Sequence, residues 1–291
     1  MPLWLLSPAG IVIVALTVVP IVFLVFTSFT DFNQRTLFTG EFDFVGLKQY
    51  ERVFTDPAFW AAFLRTVLFT AAMVAASVVI GMGVSQLLGK VGGWLRWALT
   101  FVLICAWAMP NVASSLVWGW MIEPGYGVVN WLLTQTHIFG NVTAINWTTN
   151  TWLALTAIWA LIVWQAVPFI ALTLYAAQSQ VDQSYFEAAR LDGASEWRIY
   201  WTITLQFLRP TLLLMTILSI IWDFNVFNQI WLISQGGPDN STATLGVYAY
   251  KQAFVGFDLG NGAAISIVTT VLLVVVTAFY IRSLVRAGEE L

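Results

Sequence analysis

QSQVDQSYFEAARLDGASEWRIYWTITLQFLRP, from Gln178 to Pro210, is a polar stretch lodged between two long apolar runs. Charges of both signs run through it: Asp182, Glu187, Arg190, Asp192, Glu196, Arg198 and Arg209. Its composition is not that of a Gly/Ser linker, and helix signals recur along it. Ser184 with Glu187 three residues on has the spacing of a capping box, in which the carboxylate reaches back to a free backbone N–H. Ala188 and Ala189 favour helix and carry almost no side-chain bulk. Gly193 permits a left-handed turn, and Ser195 can cap a second helix. The stretch predicts helix, turn and helix at a membrane surface, which is the shape of a docking element.

Working outward, composition sets the class. Of 291 residues 59% are hydrophobic and 9% charged, where a soluble domain carries about 25% charged residues. Sixteen Trp and 21 Phe suit the aromatic belts of a membrane protein. A net charge of −3 built from so few groups gives no sign of nucleic-acid binding. The single cysteine, Cys105, excludes an internal disulfide and a cysteine metal cluster, and its apolar surroundings predict a buried thiol. One His, His137, reads as a surface residue and leaves no metal site.

Six apolar runs are long enough to cross a bilayer, which takes about 20 helical residues. They lie at 3–27, 60–88, 97–121, 152–177, 211–233 and 263–284. The first lacks the basic n-region and cleavage site of a signal peptide, and Pro20 should kink it. Basic residues orient the chain. With both termini inside, the inner segments hold Lys90, Arg96, Arg190, Arg198, Arg209, Arg282 and Arg286, against Arg35, Lys48, Arg52, Arg65 and Lys251 outside. The outer segment before the second run is acidic and enters that run through Asp56-Pro57, a turn signal.

No nucleotide-cradling loop, carboxylate pair or activated nucleophile is present. Transport against a gradient therefore needs either an ion gradient read by an intramembrane charge or an ATPase partner. One such charge exists. Asp223 falls near the middle of the fifth run, where a charge costs roughly 2.5–3.5 kcal/mol on insertion scales, so it should face a cavity or a partner. Ser219, Trp222, Asp223 and Val226 follow helical spacing and share one face. A hydroxyl, an indole and a carboxylate on one stripe suit a sugar. The alternative is that Asp223 bonds Asn225, Asn228, Gln229 or another helix and holds the bundle together.

Glu187-Ala188-Ala189, then Gly193, then Ile203-x-Leu205 resemble the EAA signature of the membrane subunits of bacterial binding-protein-dependent ABC importers, and Leu191-Asp192-Gly193-Ala194 fits the same loop. Gly236-Gly237-Pro238, Tyr248, Phe254 and Gly262-Ala263-Ala264 are similar to the carbohydrate branch, the MalF-like sugar permeases, and Gly46-Leu47 with Tyr50 is similar to their short extracytoplasmic segment. The likeness covers nearly the whole chain. It departs at Gln206, where the family has proline (here delayed to Pro210), and at Asp182, another common proline position. Both departures predict a shift in where the second helix bends.

The resemblance implies an all-α integral membrane protein with six transmembrane helices of the type I ABC importer kind. It implies one permease domain over residues 1–291, cytoplasmic termini and a place in the bacterial inner membrane. Its partners would be a second permease subunit in a heterodimer, two ATPase subunits and an extracytoplasmic solute-binding protein. This chain would hold no catalytic residue and no cofactor, with ATP and Mg bound by the ATPases. Glu187, Ala188, Ala189, Asp192 and Gly193 would dock in an ATPase groove. The family's sugar contacts correspond to Ser219, Trp222, Asp223 and Val226, and on the fourth run to Gln165, Ala166 and Phe169, beside a Pro168 able to open the helix. A di- or oligosaccharide is implied, with an amino sugar suited to Asp223. The competing readings are the same machine for glycerol phosphate or a peptide, and a secondary transporter coupled to ions through Asp223.

Overall fold

The computed structural model describes residues 7–289, whose regular structure is helical apart from one isolated bridge between Thr30 and Phe44. Residues 3–6 of the first apolar run lie outside the described residues. Among the described residues, five helices are long and apolar enough to cross a membrane: Gly10–Thr27, Pro57–Lys90, Thr151–Gln178, Glu196–Phe224 and Leu259–Arg282.

The third apolar run is not one continuous helix and makes a sixth span only as a bent pair. It is two helices, Gly93–Trp107 and Asn111–Met121, bent by 98°. Pro110 explains the break: it has no N–H to donate and forces Met109 away from helical geometry. Pro110 itself sits extended, with φ −60° and ψ 136°, at the start of the second half. Other prolines do not break their helices. Pro168, expected to open the fourth span, is buried within a continuous Thr151–Gln178. Pro210 also lies inside an unbroken helix, and the irregularity ahead of it is a π-helical turn at Tyr200–Thr204. Pro20 follows a similar π-turn at Val14–Val18, which contains Leu16, the carbonyl that Pro20 leaves without a helical partner.

The fifth span is also shifted. It was expected at 211–233 but runs from Glu196 to Phe224, so Asp223 stands at its end and not near its middle. The side-chain amide of Asn225 donates to the Ile221 carbonyl at 2.9 Å, satisfying the helix terminus and letting the chain turn. A short helix, Asn228–Ser234, follows in a new direction.

The second and fourth spans form the centre of the bundle. They approach closely at Gly81, where a Cβ would lie 2.6 Å from Ile170 Cγ2. Phe69 and Met73 of the second span and Ile158 and Ile162 of the fourth bury a cluster completed by Val226, Ile230, Ala243 and Val247. The segment after the fifth span is thus part of the core. Its Gly236-Gly237-Pro238 turn is held internally by Thr242 Oγ1, which donates to the Gly237 carbonyl at 2.8 Å. Arg65 of the second span donates to the carbonyls of Asn240 and Ala243, and Thr66 Oγ1 accepts from Leu245 N at 2.9 Å.

Asp56 does what its position before Pro57 predicts: its side chain accepts from Ala58 N at 2.8 Å and starts the second span. Its other oxygen accepts from the Tyr248 hydroxyl, and burial together with that bond pushes the tyrosine up to about 12. His137 is exposed, as expected. Cys105 is exposed on the first half of the broken span, which corrects the prediction of a buried thiol. In a membrane helix an apolar neighbourhood in sequence does not imply an inward face.

Candidate functional site

The loop at Gln178–Pro210 folds as helix, turn and helix. Its first helix is Gln183–Leu191, and the capping differs from the sequence expectation. Asp182, not Ser184, is the N-cap: its Oδ1 accepts from Ser184 N at 2.9 Å, and that bond lowers the Asp182 carboxyl below the usual carboxylate range. Ser184 lies inside the helix, so no Ser184–Glu187 box forms. An Asp performs the N-cap role directly and outcompetes a serine placed two residues later. Phe186 is the buried anchor of this helix.

The helix closes through Gly193 at φ 80°, a left-handed geometry that costs a non-glycine residue about 1–2 kcal/mol. Asp192, Gly193 and Ala194 donate their N–H groups to the carbonyls of Ala188, Arg190 and Ala189 at 3.0 Å each. Ser195 then caps the next helix, accepting from Arg198 N at 3.3 Å. Arg190 Nε donates to Glu196 Oε1 at 2.9 Å and ties the two helices together. Glu187, Ala188, Asp192 and Gly193 are exposed, and Ala189 is half-buried. Leu191 is 89% exposed, an apolar side chain left uncovered beside them. The loop is a preformed surface on which Glu187, Ala188, Leu191, Asp192 and Gly193 are exposed.

The second site is a cavity of about 500 Å³ between the broken third span, the fourth span and the end of the fifth. Gln165, Ala166, Phe169, Trp222, Asp223 and Val226 all line it, so six of the seven residues assigned from sequence meet in one place. Ser219 does not; it is buried one turn earlier and off the cavity wall. Val226 arrives by the turn after Phe224 and not by helical spacing, which corrects the single-stripe reading.

Three rings form a row along the wall. Trp107 stacks on Phe169 at 5.6 Å and 17°, and Phe169 meets Trp222 at 5.5 Å and 56°. Trp222 remains 52% exposed, whereas its neighbour Asp223 is only 6% exposed. The Asp223 Oδ2 atom is buried and has no hydrogen-bond partner among the described residues. Among the described residues, none of Asn225, Asn228 or Gln229 bonds this oxygen. A buried, unpaired acceptor calls for a ligand, a water or a proton.

Gln165 lines the cavity and also bonds across the break in the third span. Its Nε2 donates to the Met109 carbonyl at 2.7 Å and its Oε1 lies 3.5 Å from Ser114 Oγ. It therefore holds both sides of the break in the third span. Sequence reading missed Trp107 and Asn111, the third-span residues that complete the wall. The available signal was Pro110, a proline in the middle of an apolar run and followed by a polar Asn.

Residues 77–287 match the family described as the binding-protein-dependent transport system inner membrane component. The chain is 37% identical to the diacetylchitobiose uptake system permease protein DasB of Streptomyces coelicolor, over 99% of this chain and 88% of that protein. It is 32% identical to the trehalose/maltose transport system permease protein MalF of Thermococcus litoralis, over 94% of this chain and 92% of that one. Among solved structures, a chain of a bacterial ABC transporter involved in the import of the acidic polysaccharide alginate superposes with a TM-score of 0.82 at 18% identity, covering 98% of this chain and 96% of the other. That last likeness establishes the shared fold.

Proposed function

The chain belongs to the family of inner-membrane components of binding-protein-dependent transport systems, and from that premise we propose that it forms the sugar path of an ATP-driven importer. In this reading residues 1–291 are one permease domain of the inner membrane with cytoplasmic termini. It pairs with a second permease subunit, two ATPase subunits and an extracytoplasmic solute-binding protein. ATP and Mg are bound by the ATPase subunits, so this chain carries out no hydrolysis.

The observation that carries the sugar assignment is the cavity: a row of three aromatic rings shares its lining with a buried carboxylate, one oxygen of which has no hydrogen-bond partner among the described residues. Aromatic faces cover the apolar C–H side of a pyranose, and Asp223 Oδ2 accepts from a hydroxyl or amide N–H. Around them stand the amide side chains of Asn111, Asn228 and Gln229. A phosphorylated substrate such as glycerol phosphate is disfavoured, because among the described residues no Lys or Arg lines the cavity. A di- or oligosaccharide fits, and the relatives that carry diacetylchitobiose and trehalose or maltose by name support that class.

The docking loop is the energy input. Ala188 and Ala189 let a partner approach the helix, Glu187 offers a charge to a basic residue there, and Asp192 and Gly193 shape the turn. ATP-driven closure of the ATPases would then shift the membrane subunits between inward- and outward-facing states. The test is co-purification with the partner subunits, followed by ATPase assays with binding protein and a panel of sugars. Stimulation by a sugar-loaded binding protein supports the reading. Uptake by this chain alone, driven by an ion gradient, would replace it with the secondary-transporter reading.

A further inference from the structure

A second cavity, about 800 Å³ and well apart from the sugar cavity, opens where the second span meets the docking loop and the start of the fifth span. Its level relative to a bilayer can be read from the second span. Between Arg65 and Gln86 that helix carries no charged or amide side chain. At 1.5 Å per residue this apolar segment is about 30 Å long, the thickness of a hydrocarbon core. Gln86 therefore marks the edge of the hydrocarbon, and Lys90 stands one helical turn beyond it, at headgroup depth.

The cavity straddles that edge. Val79, Met82 and Gly83 line its inner part, within the hydrocarbon layer. A Cβ placed on Gly83 would meet nothing within 4 Å, so the glycine leaves an open groove. At the mouth stand Lys90, Arg190 and Glu196, with Trp197 and Trp201 in edge-to-face contact at 5.4 Å. Arg190 and Glu196 pair with each other at 2.9 Å, and the Lys90 ammonium acts on the same carboxylate, so these three groups carry one net positive charge. An apolar slot inside the hydrocarbon, a net positive charge one turn outside it and indoles at the boundary match one molecule in every part.

We infer that this groove is a site for an anionic phospholipid, with its phosphate on Lys90 and one acyl chain laid along Val79, Met82 and Gly83. Basic pockets between transmembrane helices at headgroup level hold anionic lipids in this manner, and tryptophans favour the same depth. Because Arg190 and Glu196 belong to the docking loop, a lipid seated here supports that loop from its inner side.

The assembled transporter in phosphatidylcholine nanodiscs, doped with a photo-crosslinkable phosphatidylglycerol or an equally labelled phosphatidylcholine, tests this. Phosphatidylglycerol should label peptides of the second and fifth spans about fivefold more than phosphatidylcholine, the preference one cation gives. Lys90→Gln should remove that preference, and Gly83→Leu, which fills the slot without touching a charge, should abolish labelling by both lipids. Equal labelling by the two lipids in the unaltered protein would overturn the proposal. So would a photo-crosslinker at Met82 that captures a protein subunit in place of lipid. If Gly83→Leu does not assemble, Lys90→Gln and the two-lipid comparison still decide.

Discussion

The docking loop and the aromatic cavity are built on opposite plans. The loop is held by contacts a few residues apart: Asp182 to Ser184, Ser195 to Arg198, Arg190 to Glu196. It leaves Glu187, Ala188 and Leu191 exposed among the described residues. The cavity is assembled from residues more than a hundred positions apart, from Trp107 to Gln229, and its reactive group points inward. One surface is convex and exposed. The other is a recess in which a half-exposed indole, Trp222, stands beside a buried carboxylate, Asp223. The difference teaches that the proposed coupling surface and the proposed recognition site rest on separate structural supports, so each should be breakable without the other.

The largest effect is expected from reversing charge on the loop. Glu187→Lys should cut sugar uptake by more than about tenfold, the scale of a charge pair lost and replaced by repulsion, with the spans still inserted. Uptake by reconstituted vesicles and protease mapping of topology check it together. Next comes the cavity. Asp223→Ala should lower uptake about tenfold, the cost of a hydrogen bond to a charged group, without reducing assembly with partner subunits. An unaltered rate and sugar range would return Asp223 to a packing role.

Removing one ring is milder. Trp222→Ala should raise the sugar concentration for half-maximal transport about three- to tenfold, since an aromatic contact contributes roughly 0.5–1.5 kcal/mol. Gly81→Leu separates both sites from the scaffold. With Ile170 Cγ2 only 2.6 Å from a new Cβ, overpacking should destabilise the bundle by about 1–3 kcal/mol, read as a lower melting midpoint in detergent. The smallest effect belongs to Asp182→Ala, which removes a cap on an exposed loop. Its signature is pH: the folded-state carboxyl is lowered by the Ser184 N–H, so the cap stabilises above the ordinary carboxylate range and is lost as pH falls through the lowered value. Uptake by the unaltered protein should therefore weaken at acid pH more than uptake by Asp182→Ala.

Which parts were legible in the sequence follows from the same contrast. The loop could be read because caps, a positive-φ glycine and small residues act within one or two turns; only the choice of cap was misplaced, since Asp182 precedes Ser184 and takes the role first. Asp223, Trp222, Gln165, Ala166 and Phe169 could be placed at one site through the family resemblance. Trp107 and Asn111 could not, because they reach the cavity only after the third span bends by 98°. Pro110 marks that bend, but Pro168 sits in an equally apolar run and Pro210 at the edge of one, and both leave their helices unbroken. What separates them is tertiary: the Gln165 amide waits at the Met109 carbonyl to hold the break. The fifth span shifted for a similar reason, as Asn225 ends the helix with its own side chain inside a run that hydropathy reads as continuous.

The central claim, that loop and cavity are separable, is tested most directly by measuring uptake and ATP hydrolysis side by side in proteoliposomes for Glu187→Lys and Asp223→Ala. The account predicts that Glu187→Lys loses uptake and binding-protein-stimulated hydrolysis together. Asp223→Ala should keep the stimulated hydrolysis while moving less sugar per ATP. The same phenotype from both variants would contradict it.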